Sequence, residues 1–167
     1  MRYFKLSQDR DIPGGVSLSG VNSIGGYHEA RSGDLSMLDN AFVSHVDYNS
    51  LNSCPDILDL DLFMVKGAVK QVFDMYIPKS QYKHCILTER DGKKHEQYFI
   101  PLLDLVDVGE GLEAAAQDKQ IFRIISSNER MVVVSLEVIE AVLRRSPMGV
   151  RVDVIDSDNI AQGRSVR

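Results

Sequence analysis

Cysteine is scarce in this chain of 167 residues: there are two, Cys54 and Cys85, without CxxC spacing. A disulfide framework usually shows more of them, so the sequence predicts a reduced, cytoplasmic setting, while a bridge between Cys54 and Cys85 stays open. Long apolar runs are missing as well. Nowhere do about 18 apolar residues stand together, the length a membrane-spanning helix needs. The start, MRYFKLSQDR, has neither the apolar stretch nor the small-residue cleavage site of a secretory signal. Nor is base in excess. The formal net charge is −5, which argues against a nucleic-acid binder that neutralises phosphates and leaves basic proteins as natural partners.

The usual marks of chemistry are also lacking. Gly14, Gly15, Gly20, Gly25, Gly26 and Gly33 crowd one segment, yet neither GxGxxG nor GxxxxGK[ST] is present, so no phosphate cradle is expected there. His84 and Cys85 are adjacent and would point to opposite faces of a strand, which does not suit a preformed metal site. Ser44, His45 and Asp47 contain the letters of a catalytic triad, but triads are assembled across a fold and sequence neighbours seldom face one another. Asp59 and Asp61 would share a strand face if a strand began that early, placing two carboxylates for acid and base work; an exposed acidic edge is the simpler expectation. Asp153, Asp156 and Asp158 lack the glycine and the terminal glutamate of a calcium loop. The sequence therefore predicts no catalytic residues, no metal and no cofactor.

The densest signals run through 121–155. Residues 121–125 form a β-branched run that ends in Ser-Ser-Asn, a strand followed by a turn. A second apolar run, 131–134, leads to Ser135, which stands where a helix N-cap is wanted. Leu136, Ile139 and Leu143, widened by Val138 and Val142, make the apolar stripe of the helix that follows. Glu140 can pair with Arg144 one turn on. Pro147 and Gly149 end the helix, and Val150, Val152 and Val154 alternate with Arg151 and Asp153 as a half-buried strand.

Earlier in the chain, 3–6 and 41–46 are strand candidates, and 11–36 reads as a Gly/Ser-rich irregular segment with short edge strands. Residues 62–65 form a strand leading into a helix marked by Val69, Val72, Phe73 and Tyr76. Residues 83–101 form a hairpin about Asp91-Gly92, with Thr88 opposite His95 and a type I′ turn. A short alanine-rich helix is expected at 112–117. Strand, helix and strand thus occur twice, in 61–100 and 121–155, as either a duplicated unit or two similar solutions to one packing problem would give. The expected fold is α+β, a single domain over 1–156 with a mixed, largely antiparallel sheet and two main helices, 67–75 and 136–145. Residues 157–167 are expected to form a mobile tail.

The segment from Ile121, with its IFRI strand, VVVS leading into a helix, and Gly149 before a strand, resembles the C-terminal half of a family of bacterial immunity proteins attached to polymorphic and type VI secretion toxins. Residues 62–73 resemble that family's earlier strand and helix, with Lys66 where a serine is often seen. The likeness spans about 61–155. It implies a cytoplasmic protein without enzymatic activity that binds one cognate toxin, such as a basic nuclease or nucleotide-modifying domain, and occludes its active site. Under that resemblance the contacts expected are the acidic residues Asp56, Asp59, Asp61, Asp104, Asp107, Glu110 and Glu113, which would imitate phosphate, and Tyr48 as an aromatic anchor. Neither nucleic acid nor membrane is implied as a partner. A non-catalytic adaptor or structural subunit, or an enzyme of unrecognised type, are the competing expectations.

Overall fold

The computed structural model describes residues 2–11, 16, 18–19, 24–47, 50–78, 81–109, 111–126 and 129–155. The fold is α+β in one domain, but the strands form two sheets where one was expected. With the strands numbered in chain order as β1 (Tyr3–Gln8), β2 (Leu18–Ser19), β3 (Ala41–Val46), β4 (Ile57–Asp59), β5 (Phe63–Val65), β6 (Tyr82–Glu89), β7 (His95–Pro101), β8 (Leu105–Val106), β9 (Ile121–Ser126), β10 (Glu129–Ser135) and β11 (Val150–Val154), the first is five-stranded in the order β11-β1-β10-β9-β8, and the second six-stranded in the order β2-β3-β6-β7-β5-β4. Most pairs are antiparallel; β3 with β6 and β8 with β9 are parallel. Strand order rests on these long-range pairings, which no local pattern announces.

The signals read in 121–155 become β9 (Ile121–Ser126), β10 (Glu129–Ser135), α4 (Leu136–Leu143) and β11 (Val150–Val154). Ser135 caps α4 as expected: its Oγ accepts a hydrogen bond from the Val138 N–H at 3.4 Å. The expected ion pair forms too, Arg144 to Glu140 at 3.3 Å. The apolar stripe is shifted from the one expected. Val138, Ile139 and Val142 are buried, whereas Leu136 and Leu143 are 41% and 53% exposed. Leu136 is the first helical residue, where a side chain leans back toward the helix start.

β10 and β11 do not touch. Both pair antiparallel with β1 (Tyr3–Gln8), which lies between them. The earlier unit has the same arrangement. β5 (Phe63–Val65) leads through α2 (Gly67–Phe73) to β6 (Tyr82–Glu89), and β7 (His95–Pro101) separates β5 from β6. In each case the strand that precedes the unit in the chain pairs antiparallel with its first strand, β4 (Ile57–Asp59) with β5 and β9 with β10.

The β6–β7 hairpin has the register expected, with Thr88 opposite His95, Ile86 opposite Gln97 and His84 opposite Phe99. Its turn is not type I′. Gly92 alone takes a positive φ, +70°, while Asp91 accepts a hydrogen bond from the Lys93 N–H at 3.0 Å, and Glu89 N–H closes a four-residue loop onto Lys94 O.

The expected irregular N-terminal segment is more regular than its composition suggested. It contains the edge strand β2 (Leu18–Ser19), α1 (Tyr27–Ser32) and a 3₁₀ turn at Leu35–Met37, followed by β3 (Ala41–Val46). These elements cover one face of the six-stranded sheet, so that Tyr27, Ala30 and Leu38 pack with Cys85, Leu87 and Tyr98. α2 and α4 share a second core with both sheets, in which Val69, Phe73, Val138 and Val142 meet Leu6 and Val134 from one sheet and Val65 and Tyr82 from the other. β8 (Leu105–Val106) and α3 (Leu112–Ala116) close a third core over Tyr3, Phe122, Ile124 and Val133. The tail expected at 157–167 lies outside the described residues.

Candidate functional site

Two places gather chemistry-bearing side chains: a cleft between the sheets and the outer edge at β8. The cleft has a volume of about 350 Å³. Its floor is the inner face of β9 and β10, where Arg123 pairs with Val132 and Ile125 with Arg130. Paired residues share a face, so Arg123 and Arg130 stand on one face a diagonal step apart. The β4–β5 turn forms one wall with Asp59, Leu60 and Asp61, and α1 adds Ala30 and Arg31.

Arg123 is half-buried. Its Nε donates to Leu103 O at 3.2 Å and a terminal nitrogen reaches Gly33 O at 3.4 Å. Burial lowers its pKa, and the neighbouring Arg130 guanidinium lowers it further. Arg10 donates to the Asp59 carbonyl oxygen at 3.2 Å. Arg31 pairs with Asp61 at 3.4 Å, and the Tyr27 hydroxyl donates to the same carboxylate at 2.9 Å. Burial, then that bond to Asp61, pushes the Tyr27 hydroxyl up to about 12. Four guanidinium groups thus face two carboxylates, a local formal charge of +2 in a chain whose net charge is −5.

At the other place, β8 is the outermost strand of its sheet. Val106 and Val108 point into the third core, while Asp104, Leu105 and Asp107 face out, with Leu105 54% exposed. Lys119 pairs with Asp104 at 2.5 Å. Asp107 accepts the Gly109 N–H at 3.0 Å, so its carboxylate steadies the turn beyond the strand. Glu113 is exposed in the first turn of α3. Burial raises the pKa of Tyr3, and the charges of Asp118 and Glu113 raise it further. The acidity of this edge therefore extends to Asp118, which lies just beyond the run singled out in the sequence.

The acids of the β4 region have internal partners. Asp56 accepts the Met148 N–H on its side chain at 3.2 Å, and its own N–H donates to Met148 O at 2.7 Å. Asp59 and Asp61 do not share a strand face, because β4 ends at Asp59 and Asp61 lies in the turn before β5. Glu110 and Tyr48 lie outside the described residues. The acids thus occupy different parts of the molecule: Asp59 and Asp61 border the cleft, Asp56 sits against Met148, and Asp104, Asp107 and Glu113 lie at the β8 edge.

The remaining titratable candidates are spread out. Ser44 and His45 lie on β3, the strand expected at 41–46, with Ser44 buried and His45 exposed on the opposite face. His84 is exposed, its ring edge-on to Phe99 at 5.0 Å. Cys54 and Cys85 are both buried free thiols, and burial pushes Cys85 up to about 12. Among the described residues, no three His, Cys, Asp or Glu side chains gather as a metal site.

The four arginines went unremarked in the sequence because they sit on four separate segments. Arg123 and Arg130 had a readable signal. Once 121–134 is taken as a hairpin about Ser-Ser-Asn, their spacing puts both on one face. No protein-family model matches the chain, and no curated protein matches it.

Proposed function

We propose that this chain is an immunity protein that acts in the cytoplasm, binding one cognate toxin domain and blocking its active site. The observation that carries this reading is the edge at β8, where an exposed leucine of an outermost strand stands between two exposed aspartates that flank the strand. An apolar centre with a charged rim is the anatomy of a protein interface. Acids at such a rim speed encounter with a basic partner, such as a nuclease or nucleotide-modifying domain, and fix its orientation. The likeness of 61–155 to immunity proteins supports the same reading. Within it Asp104, Asp107 and Glu113 meet the toxin around Leu105, whereas Asp56 and Asp61 keep the fold together through Met148, Tyr27 and Arg31.

The test is a protection assay with the toxin gene expected beside this one. Cells expressing that toxin should survive only when this chain is present, and the two proteins should co-purify. Replacing Asp104, Asp107 and Glu113 together by lysine should weaken binding by about 100-fold, since three reversed rim charges lose roughly 1 kcal/mol each. A harmless neighbour, or a triple variant that binds as tightly as the parent, would end this proposal.

A further inference from the structure

We propose that the cleft between the two sheets is a binding site for a phosphate monoester, with Arg123 and Arg130 as the groups that hold the phosphoryl oxygens. The inference is separate from toxin binding and stands whether or not β8 is an interface.

Two guanidinium groups a diagonal step apart on neighbouring strands are within reach of one another, because arginine is long, and like charges at that range repel. An acid between them would relieve this. The acids that line the cleft lie on the opposite wall, and Asp61 is engaged by Tyr27 and Arg31. Arg123 is held by the carbonyls of Leu103 and Gly33, which fix its position without cancelling its charge. The Arg130 side chain has no hydrogen-bond or ion-pair partner among the described residues, and its charge depresses the pKa of Arg123.

The shape of the cleft agrees with the charge. A volume of about 350 Å³ is within the range of small-molecule sites. Leu35, Leu60, Phe63, Leu103 and Val132 supply apolar wall beside the arginines. A ligand suited to such a space carries a compact anion at one end and an apolar or aromatic body at the other. A phosphate monoester near neutral pH bears a charge of about −1.5 to −2, which matches the local +2, and its oxygens fit the planar fork of arginine.

Calorimetric titration of the full-length protein with phenyl phosphate, inorganic phosphate, succinate and phenol at fixed ionic strength tests this. Phenyl phosphate should bind with one site, inorganic phosphate more weakly, and succinate and phenol weakly or not at all. Arg130→Gln should weaken phenyl phosphate by about tenfold or more, as expected for losing a charge-assisted bond, and Arg123→Gln more severely. Because Arg123 also braces Leu103 and Gly33, Arg130→Gln is the decisive variant. Without ligand it should melt at or above the parent temperature, because a repulsion is removed, and the rise in melting temperature that phenyl phosphate gives the parent should disappear. No binding by phenyl phosphate, unchanged affinity in Arg130→Gln, a large loss of unliganded stability in that variant, or tighter binding of succinate would each overturn the proposal.

Discussion

Gly67 and Asp56 make a testable couple at the start of α2. Gly67 has φ +53°, and a Cβ there would lie 2.6 Å from Asp56 Oδ1. Two penalties follow for Gly67→Ala. Alanine in the left-handed region costs about 1 kcal/mol. The new methyl also displaces a carboxylate that is held on its other oxygen by the Met148 N–H at 3.2 Å, and losing a hydrogen bond to a charged group costs roughly 2 kcal/mol. Gly67→Ala should therefore destabilise by about 3 kcal/mol, a fall in melting temperature of roughly 6 to 12 °C at this chain length. Asp56→Ala alone should cost roughly 2 kcal/mol, and it removes the obstacle. In that background Gly67→Ala should cost only the backbone share, about 1 kcal/mol, leaving a coupling of roughly 2 kcal/mol in the cycle. The chain has no tryptophan, so urea unfolding followed by far-ultraviolet circular dichroism is the suitable assay. Additivity of the two substitutions within about 0.5 kcal/mol would show that Asp56 does not latch the α4–β11 turn to α2, and would return it to the acids open for partner contact.

Ser135→Ala should cost about 2 kcal/mol by urea unfolding, about half from the cap on Val138 and half from the bond its hydroxyl donates to Gln120; a loss under about 0.5 kcal/mol would refute the role given to that cap. Tyr27 yields a pH prediction whose sign follows from its raised pKa. The folded protein holds the phenolic proton up to about 12 while the unfolded chain releases it near 10, so this contribution to stability is complete below pH 10 and is lost as pH rises toward 12. Tyr27→Phe should flatten that part of the alkaline loss when urea midpoints are compared between pH 8 and 11. Identical slopes in parent and variant would mean that Tyr27 does not titrate with the fold.

What could be read in advance divides by range. β10, α4 and β11 were legible because each boundary has a local cause: the serine cap, the Pro147 stop and the alternation of Val150 and Val152 with Arg151. The β6–β7 register followed from the turn and the period of two. α1 was hidden because it has six residues, of which only Tyr27 and Ala30 are buried, too few to mark a helical period. The division into two sheets depends on β1 meeting β10 and β11 at the far end of the chain while β4 to β7 pair among themselves, and the outer strands β3 and β8 join by parallel pairings to β6 and β9 across intervening chain. The acids stood out as a composition feature, yet composition could not tell Asp56, held by Met148, from Asp104, which faces out on the rim. The arginines of the cleft came together only through the meeting of the two sheets.

The position of the cleft follows from element lengths. α4 has eight residues and spans about 12 Å, whereas β10 has seven and spans about 23 Å. The helix can therefore cover only part of the inner strand face, over Val134 and Val132. Beyond it that face must be covered by something else. The β4–β5 turn and α1 approach it from the other sheet and leave the space in which Arg123 and Arg130 stand. Opposite walls of the cleft thus belong to different sheets, which the α2–α4 core joins on the helix side. An anion held between those walls adds a second connection across the same gap. A ligand that binds only the folded state stabilises it by about 2.7 kcal/mol at one hundred times its dissociation constant, and here that gain would fall on the junction of the two sheets, where two neighbouring arginines otherwise oppose the packing.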